Sequence, residues 1–228
     1  MEATPENAFL RELSEFQAPI ARAGMWNSLA QVLVKIASPG VPDFYQGNEI
    51  WALDLVDPDN RRAVNYEVRR QMLTSLRTQA ARNRVELVSR LRENFCDGAI
   101  KMFITSEALR FRRDHAELFS QGTYAGLAAE GSRARHVVGF ARATDREIAL
   151  ALTGRFFLRL SNSHGKPIGE VWGDTAVALP KNAGQQSFQN IFTGQTIVPR
   201  ERDGRMVLPL NEAFCECPVA LLYAESHD

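Results

Sequence analysis

The spacing of apolar positions divides the chain into a helical first half and a second half of short strands. Apolar residues recur at helical spacing over residues 20–37, 68–94 and 99–113. Thr4 followed by Pro5 is typical of a helix start, and Pro19 is expected to end this first, shorter helix. The short apolar run 41–45, which lies between turn signals, predicts one buried strand within the helical half.

After about Phe119 the pattern changes to short runs of β-forming residues separated by turn signals. These runs are residues 136–141, 147–153, 169–179, 189–191, 196–198, 206–208 and 219–223. Short strands with regularly spaced turns predict an antiparallel sandwich, with Trp172 on an alternating strand in its core. Trp26 is expected in the core of the helical half. The predicted fold class is therefore α+β, with an antiparallel all-β sandwich after a helical N-terminal half.

Residues 46–66 form a long segment with little periodicity, and a connection of this length is more often functional than inert. The segment and the residue before it supply candidate groups for binding a sugar. These candidates are Tyr45, Gln46, Glu49, Asp59, Arg61 and Arg62. Amides, carboxylates and guanidinium groups hydrogen-bond hydroxyls, and the ring of Tyr45 or Trp51 can lie against the C–H face of a sugar. The alternative is a structural role, in which Glu49 accepts backbone N–H groups and one arginine pairs with a nearby aspartate.

The balance of charged residues restricts the kinds of molecule that this protein is expected to bind. Lys and Arg total 27, and Asp and Glu also total 27, so no net field attracts nucleic acid or an anionic membrane. Several arginines between Arg69 and Arg90 are interrupted by Glu86 and Glu93, which predicts a solvated helix face. The sequence shows neither a membrane-spanning apolar run nor the pattern of a signal peptide. A neutral substrate or a protein partner fits this balance best.

The cysteines and histidines predict neither a disulfide framework nor a metal site. Cys96, Cys215 and Cys217 are too few and too unevenly spaced for either, and the histidines are scattered. His115 is expected to end the last helix, where its cation complements the helix dipole. We therefore expect no cofactor, no metal and a reducing, cytoplasmic location.

Two sequence motifs, one after the other along the chain, resemble those of a known protein family. They are Val41-Pro-Asp-Phe-Tyr-Gln-Gly-Asn-Glu49 and Asp57-Pro-Asp-Asn-Arg-Arg62. Together they resemble the end of the catalytic barrel in the α-amylase family, most closely its maltooligosyltrehalose synthase branch. Residues 21–31 look like the helix before the eighth barrel strand of that branch, and residues 108–118 look like the last barrel helix.

The resemblance implies a particular organisation. Residues 1–118 would be the C-terminal part of a (β/α)8 barrel, with 41–45 as its last strand and 68–94 as a helical insertion. Residues 119–228 would be the β-sandwich domain. Because the loop after a barrel strand lies on the active-site face, residues 46–62 would line a substrate cleft.

The resemblance also implies an activity, an isomerase that converts the reducing-end α-1,4 bond of a malto-oligosaccharide to an α,α-1,1 bond. In the family, the catalytic carboxylates come from strands that precede residue 1 here, so we expect no catalytic residue in this chain and no activity from it alone. The implied partners are the preceding barrel portion and, through exposed barrel surfaces, a second copy in a dimer. Two alternatives stay open: a stand-alone carbohydrate-binding or interaction module, and part of another α-amylase-family glycosidase.

Overall fold

The computed structural model describes residues 7–54, 56–161, 165–183 and 186–225. The first helix, α1 (Ala8–Ala37), is capped by Asn7, whose side chain accepts the backbone N–H of Leu10 at 3.2 Å. Thr4 and Pro5 lie outside the described residues. The predicted break at Pro19 is wrong, because α1 continues through it. A proline inside a helix removes one hydrogen bond without having to end the helix, and the second half of α1 is held by tertiary packing.

The segment after α1 is largely irregular. The structure assigns no strand to residues 41–45, so that prediction is not met in this chain. A parallel strand is stabilised by its neighbours, and no strand of the described residues lies beside this run. One short helix, α2 (Asp57–Asn60), interrupts the predicted long loop.

A bundle of helices follows the loop. The predicted helix 68–94 is two helices, α3 (Tyr66–Arg82) and α4 (Arg84–Glu93), because Asn83 is extended and its side chain caps α4 through the N–H of Glu86 at 3.1 Å. A 3₁₀ turn (Phe95–Asp97) and Gly98 lead into α5 (Ala99–Asp114), as the pattern predicted. Helix α6 (Ala116–Ser120) ends the helical half.

The second half is an antiparallel sandwich, as predicted. Among the described residues, one sheet has the strand order β1-β3-β4-β10-β6-β7 and the other β2-β5-β9-β8, with every pairing antiparallel. The strands are β1 (Thr123–Gly126), β2 (Ala129–Glu130), β3 (Val137–Ala143), β4 (Glu147–Gly154), β5 (Ala176–Ala178), β6 (Phe188–Asn190), β7 (Thr196–Ile197), β8 (Arg200–Arg202), β9 (Arg205–Pro209) and β10 (Val219–Glu225). Two short helices, α7 (Phe157–Leu160) and α8 (Leu210–Ala213), lie within this half.

The predicted strand 169–179 is wrong over its first part. Residues Gly169–Trp172 form a 3₁₀ turn, and only Ala176–Ala178 pair as a strand. Trp172 is nevertheless fully buried, with its ring centroid 4.8 Å from that of Phe214. Strands β1, β2 and β8 were not predicted, because they are short and none of their residues is buried.

The helices and the sandwich share one continuous core. Helix α1 packs against α5 on one side and against β4 and β10 on the other, and Trp26, Leu29, Leu33 and Ile36 supply its buried face. Arg142 is buried beneath β1, where its guanidinium donates to the carbonyls of Phe119, Gly122 and Thr123. No helix in the described part of the chain is long and apolar enough to cross a membrane.

Candidate functional site

The 46–65 segment folds around a small open cleft. Its volume is about 360 Å³, and Gln46, Asp59 and Arg62 line it together with Trp51 and Asn60. Glu49 does not line this cleft but faces a larger groove between α3 and α5. Tyr45 and Arg61 line neither space, and both are exposed. The structure therefore brings three of the six predicted residues to one cleft.

Two ion pairs stabilise the α2 turn. Asp57 pairs with Arg61 one helical turn later, and Asp59 accepts from Arg62 at 2.8 Å. The other carboxylate oxygen of Asp59 accepts the backbone N–H of Val56 at 3.3 Å, which caps the turn. Both arginines therefore pair with a nearby aspartate, which is the structural role that the sequence offered as an alternative for one of them. Their guanidinium groups remain mostly exposed, so each retains N–H donors that a hydroxylated ligand can reach.

Arg69 of α3 anchors the start of the loop. Its Nε donates to Glu49 Oε2 at 2.9 Å, and its Nη2 donates to the carbonyl of Gly47 at 3.4 Å. Glu49 is therefore fixed by a guanidinium and not by the backbone N–H groups that the sequence suggested. Gln46 Oε1 accepts from the hydroxyl of Tyr66 at 3.5 Å. The prediction of a solvated helix face is wrong for Arg69, whose side chain is largely covered. Its role depends on the contact with Glu49, which lies twenty residues away in the chain.

A row of cationic side chains holds the backbone carbonyls that lead into the loop. Arg112 donates to the carbonyls of Ile36, Ser38 and Gly40. Lys35 Nζ donates to the carbonyl of Asp43 at 2.8 Å and lies 3.9 Å from the ring centroid of Phe44. These contacts fix residues 36–44 from the helical side and leave the other side of the segment open.

Lys101 is the most buried of these cations. Its Nζ donates to the carbonyl of Ile50 at 3.1 Å from the first turn of α5. Burial lowers the pKa of Lys101 below its ordinary value, and the nearby charge of Lys35 lowers it further, while Glu49 partly opposes both. Burial lowers this pKa because the charged amine loses its water.

The Trp51 side chain is held in place by its contacts with Phe95. Its indole N–H donates to the carbonyl of Phe95 at 2.7 Å, and its ring centroid lies 5.2 Å from that of Phe95. This arrangement makes Trp51 part of the cleft floor. Phe44 is partly buried and also packs against the core.

One polar atom of the cleft lacks a partner among the described residues. Asn60 Oδ1 is buried, and no described group donates a hydrogen bond to it. A buried acceptor left without a donor costs about 1–3 kcal/mol.

A second polar cluster joins the helices to the sandwich. His115 caps the end of α5, as expected, and its Nδ1 lies 2.6 Å from Glu147 Oε2, which also accepts from Tyr223 at 3.1 Å. Burial, followed by the charge of Glu147, raises the pKa of Tyr223. The sequence did not pair His115 with Glu147, since they lie on separate elements. The His115 ring packs at a tilt against the rings of Phe111 and Tyr223, which indicates a structural role.

Buried Glu107 holds two arginines of the helical half, and one of these, Arg84, contacts the sandwich half. It is 3% exposed and lies 2.7 Å from Arg84 and 2.6 Å from Arg110. Arg84 also donates to the carbonyl of Ile191, so it is another exception to the expected solvated face. Within the residues that the structure describes, no three His, Cys, Asp or Glu side chains converge as a metal site.

Comparisons with known proteins show what the chain is similar to. No protein-family model matches the chain. Two Mycobacterium tuberculosis proteins that carry the name maltooligosyl trehalose synthase are 34% identical over 200 residues, which cover 88% of this chain and 21% of theirs. The chain is a relative of the maltooligosyltrehalose synthases and corresponds to their C-terminal portion.

Solved structures agree with this relationship. The maltooligosyltrehalose synthase from Arthrobacter ramosus superposes with a TM-score of 0.69 and 34% identity, over 96% of this chain and 25% of that enzyme. A maltogenic α-amylase, AmyB from Thermotoga neapolitana, matches at a TM-score of 0.50 and 11% identity, which shows likeness of fold alone. The chain therefore spans about a quarter or less of the maltooligosyltrehalose synthases that it matches.

Proposed function

We propose that the chain forms one wall of the substrate cleft in an enzyme of the maltooligosyltrehalose synthase type. The proposed reaction converts the reducing-end α-1,4 bond of a malto-oligosaccharide to an α,α-1,1 bond within the same molecule. The observation that carries the proposal is the 34% identity, which extends over 88% of the chain and includes the cleft-forming loop. The chemistry of the cleft supports a neutral, hydroxyl-rich ligand.

Each predicted residue has a chemical part in this proposal. Gln46 and the exposed donors of Arg61 and Arg62 would hydrogen-bond sugar hydroxyls. The half-exposed ring of Tyr45 would lie against a sugar face. Glu49 and Asp59 would act mainly by holding the loop, through Arg69 and through Arg62 with Val56.

The chemical step is assigned to groups outside these 228 residues. Retaining chemistry at a glycosidic bond uses a carboxylate nucleophile and a carboxylic acid about 5 Å apart. We propose that the preceding barrel portion supplies both, and that residues 1–118 complete that barrel while 119–228 form the sandwich domain. The isolated chain is then inactive. Trehalose-ended or hydrolysed product from maltopentaose incubated with this chain alone would contradict the assignment.

The same proposal places the protein in the cytoplasm, where its free cysteines remain reduced. Cys96, Cys215 and Cys217 form no disulfide among the described residues. Fractionation of the source cells tests this location, since recovery of the protein outside the cytoplasm would contradict it.

A chimera tests the proposed function directly. This chain replaces the corresponding portion of the Arthrobacter ramosus enzyme, and trehalose-ended product from maltopentaose is measured. We expect Tyr45→Ala to raise KM with little effect on kcat. Tyr124→Ala is the matched control, since the two tyrosines are 51% and 55% exposed and Tyr124 lies on the sandwich. A well-folded chimera without product would refute the proposed reaction.

Calorimetry separates this function from a stand-alone carbohydrate-binding module. Half of a cleft offers few simultaneous contacts, so we expect no saturable heat when maltopentaose is titrated to millimolar concentration into the isolated chain. A saturable isotherm would favour the module.

A further inference from the structure

A polar cavity of about 250 Å³ lies where the helical half meets the sandwich. Its helical wall carries charged and ring side chains of α4 and of the C-terminal end of α5, which are Arg84, Arg110, Asp114 and His115. Its sandwich wall is formed by the end of β6 and the turn that follows, and it includes Gln189. Among the described residues, the cavity and the cleft of the 46–65 segment have no lining residue in common. The cavity is therefore a separate candidate site.

The positive charges at this cavity outnumber the negative charges among the described residues. Arg84 and Arg110 share a single carboxylate, that of buried Glu107, at 2.7 and 2.6 Å. The carboxylate of Asp114 is balanced by Arg113, which lies 2.8 Å away. One guanidinium charge is therefore left unbalanced. A partly covered positive charge attracts an anion more strongly than one that is surrounded by water.

The helical wall also has donors to spare. Arg84 contacts Glu107 and the carbonyl of Ile191 through Nη1, and Arg110 contacts Glu107 through Nη2. Each guanidinium has five N–H donors, so both keep further donors for a ligand. His115 is held through Nδ1, 2.6 Å from Glu147 Oε2. Both ring nitrogens of a protonated imidazole are donors, so Nε2 can donate to a second anion.

The cavity offers acceptors for hydroxyl groups as well. Asp114 accepts from Arg113 through Oδ1, which leaves Oδ2 for a ligand. The amide of exposed Gln189 supplies both an acceptor and donors. The volume lies just below the range of about 300–1,000 Å³ that is typical of small-molecule pockets. These properties together suit a small ligand that has one anionic group and several hydroxyls.

We propose that this cavity binds a phosphorylated sugar. Arg84, Arg110 and His115 hold the phosphate, and Asp114 and Gln189 bind the hydroxyls of the sugar ring. A phosphate group has three terminal oxygens for the donors of three side chains, whereas a carboxylate has two. Because the ligand contacts both the helical half and the sandwich, its binding stabilises the folded chain.

Calorimetry on the 228-residue chain tests this site, with glucose 6-phosphate as the probe. We expect a saturable isotherm at millimolar concentration. Inorganic phosphate lacks the hydroxyls, and glucuronate carries a carboxylate in place of the phosphate, so each should bind several times more weakly. Neutral glucose should give no saturable heat, because it leaves the excess charge unbalanced.

Two variants and one control locate the binding. Arg110→Gln should weaken glucose 6-phosphate binding about tenfold, because it removes one charge-assisted partner of the phosphate. Gln189→Ala, at an exposed position on the sandwich wall, should weaken binding about threefold without disturbing the fold. Arg70→Gln is the matched control, since Arg70 pairs with Glu67 three positions earlier, as Arg110 pairs with Glu107, and Arg70 lies outside the cavity.

Nuclear magnetic resonance gives a second measurement of the same binding. Glucose 6-phosphate should shift the ring signals of His115, while those of His136, which is buried beside Arg155 in the sandwich half, should stay in place. A lack of saturable binding, or a His115 ring that does not respond, would overturn the proposal. So would equal binding of inorganic phosphate, glucuronate or glucose, or equal losses in Arg110→Gln and Arg70→Gln. None of these outcomes bears on the proposed reaction, because the cleft has no lining residue in this cavity.

Discussion

Substitution of Gly98 by alanine probes how tightly the loop is held against the start of α5. Gly98 has φ of +75°, and a Cβ placed there would lie 2.8 Å from Ile50 Cβ and 2.8 Å from the backbone N of Trp51. Neither atom is the end of a flexible side chain, so the loop or the helix start must move. The left-handed conformation costs an alanine about 1–2 kcal/mol, and overpacking of this kind adds about 1–3 kcal/mol.

Gly204→Ala is the matched control. Gly204 has φ of +72°, it lies in the turn between β8 and β9, and nothing is within 4 Å of a Cβ placed there. The two substitutions therefore share the conformational cost, and only Gly98→Ala adds the overlap. We expect Gly98→Ala to reduce the free energy of unfolding by about 1–3 kcal/mol more than Gly204→Ala, measured by urea denaturation.

Amide hydrogen exchange and tryptophan fluorescence near residue 98 give a second measurement of the effect of Gly98→Ala. Gly98→Ala should change the hydrogen-exchange rates of the amides of residues 49–51. It should also change the fluorescence of Trp51, whose indole donates a hydrogen bond to the carbonyl of Phe95. Gly204→Ala should leave both unchanged. Equal costs for the two substitutions, with no change around Trp51, would refute the conclusion that Gly98 sets the position of the loop.

Three further predictions concern buried polar groups. Burial holds the pKa of Lys101 below its ordinary 10.5. Between the folded-state pKa and 10.5 the unfolded chain therefore binds more protons than the folded chain, so the free energy of unfolding should rise with pH over this range. Urea denaturation at several pH values should show a smaller rise for Lys101→Met. Glu107→Ala should lower the free energy of unfolding by about 3 kcal/mol, the low end of the range for a buried ion pair, because the positive charges of Arg84 and Arg110 that it leaves unpaired are partly exposed. A loss no larger than that of exposed Glu67→Ala would contradict this. Burial raises the pKa of Cys217 to about 12, so a thiol reagent at pH 8 should modify exposed Cys96 and leave Cys217 until the protein unfolds.

Several elements were predictable because their signals are local. The apolar spacing over 99–113 predicted α5 (Ala99–Asp114) nearly to the residue. Turn signals such as Asp203 followed by Gly204 correctly separated the sandwich strands, and both of these residues have positive φ. The errors arose where neighbours decide the outcome. Residues 41–45 have the composition of a strand, but a strand also requires a partner to pair with.

The sequence predicted a loop for the candidate site, and that location stays a prediction; the contacts that hold the loop were not predicted. The two motifs lie at the loop that forms the small cleft, and the comparisons find similarity to the family that these motifs suggested. The bond between Arg69 and Glu49 spans twenty residues, and that between Lys101 and the carbonyl of Ile50 spans fifty-one. Neither leaves a periodic trace in the sequence, so both were missed.

The amino-acid sequence alone determined the α+β class, the helical and sandwich halves and the resemblance, because apolar period, turn residues and short motifs are properties of neighbouring positions. Tertiary structure decided which cations hold the loop carbonyls, which carboxylates are buried and which apolar faces remain exposed. These properties depend on pairs of residues far apart in the chain, since burial and electrostatic interaction are set by distance in space.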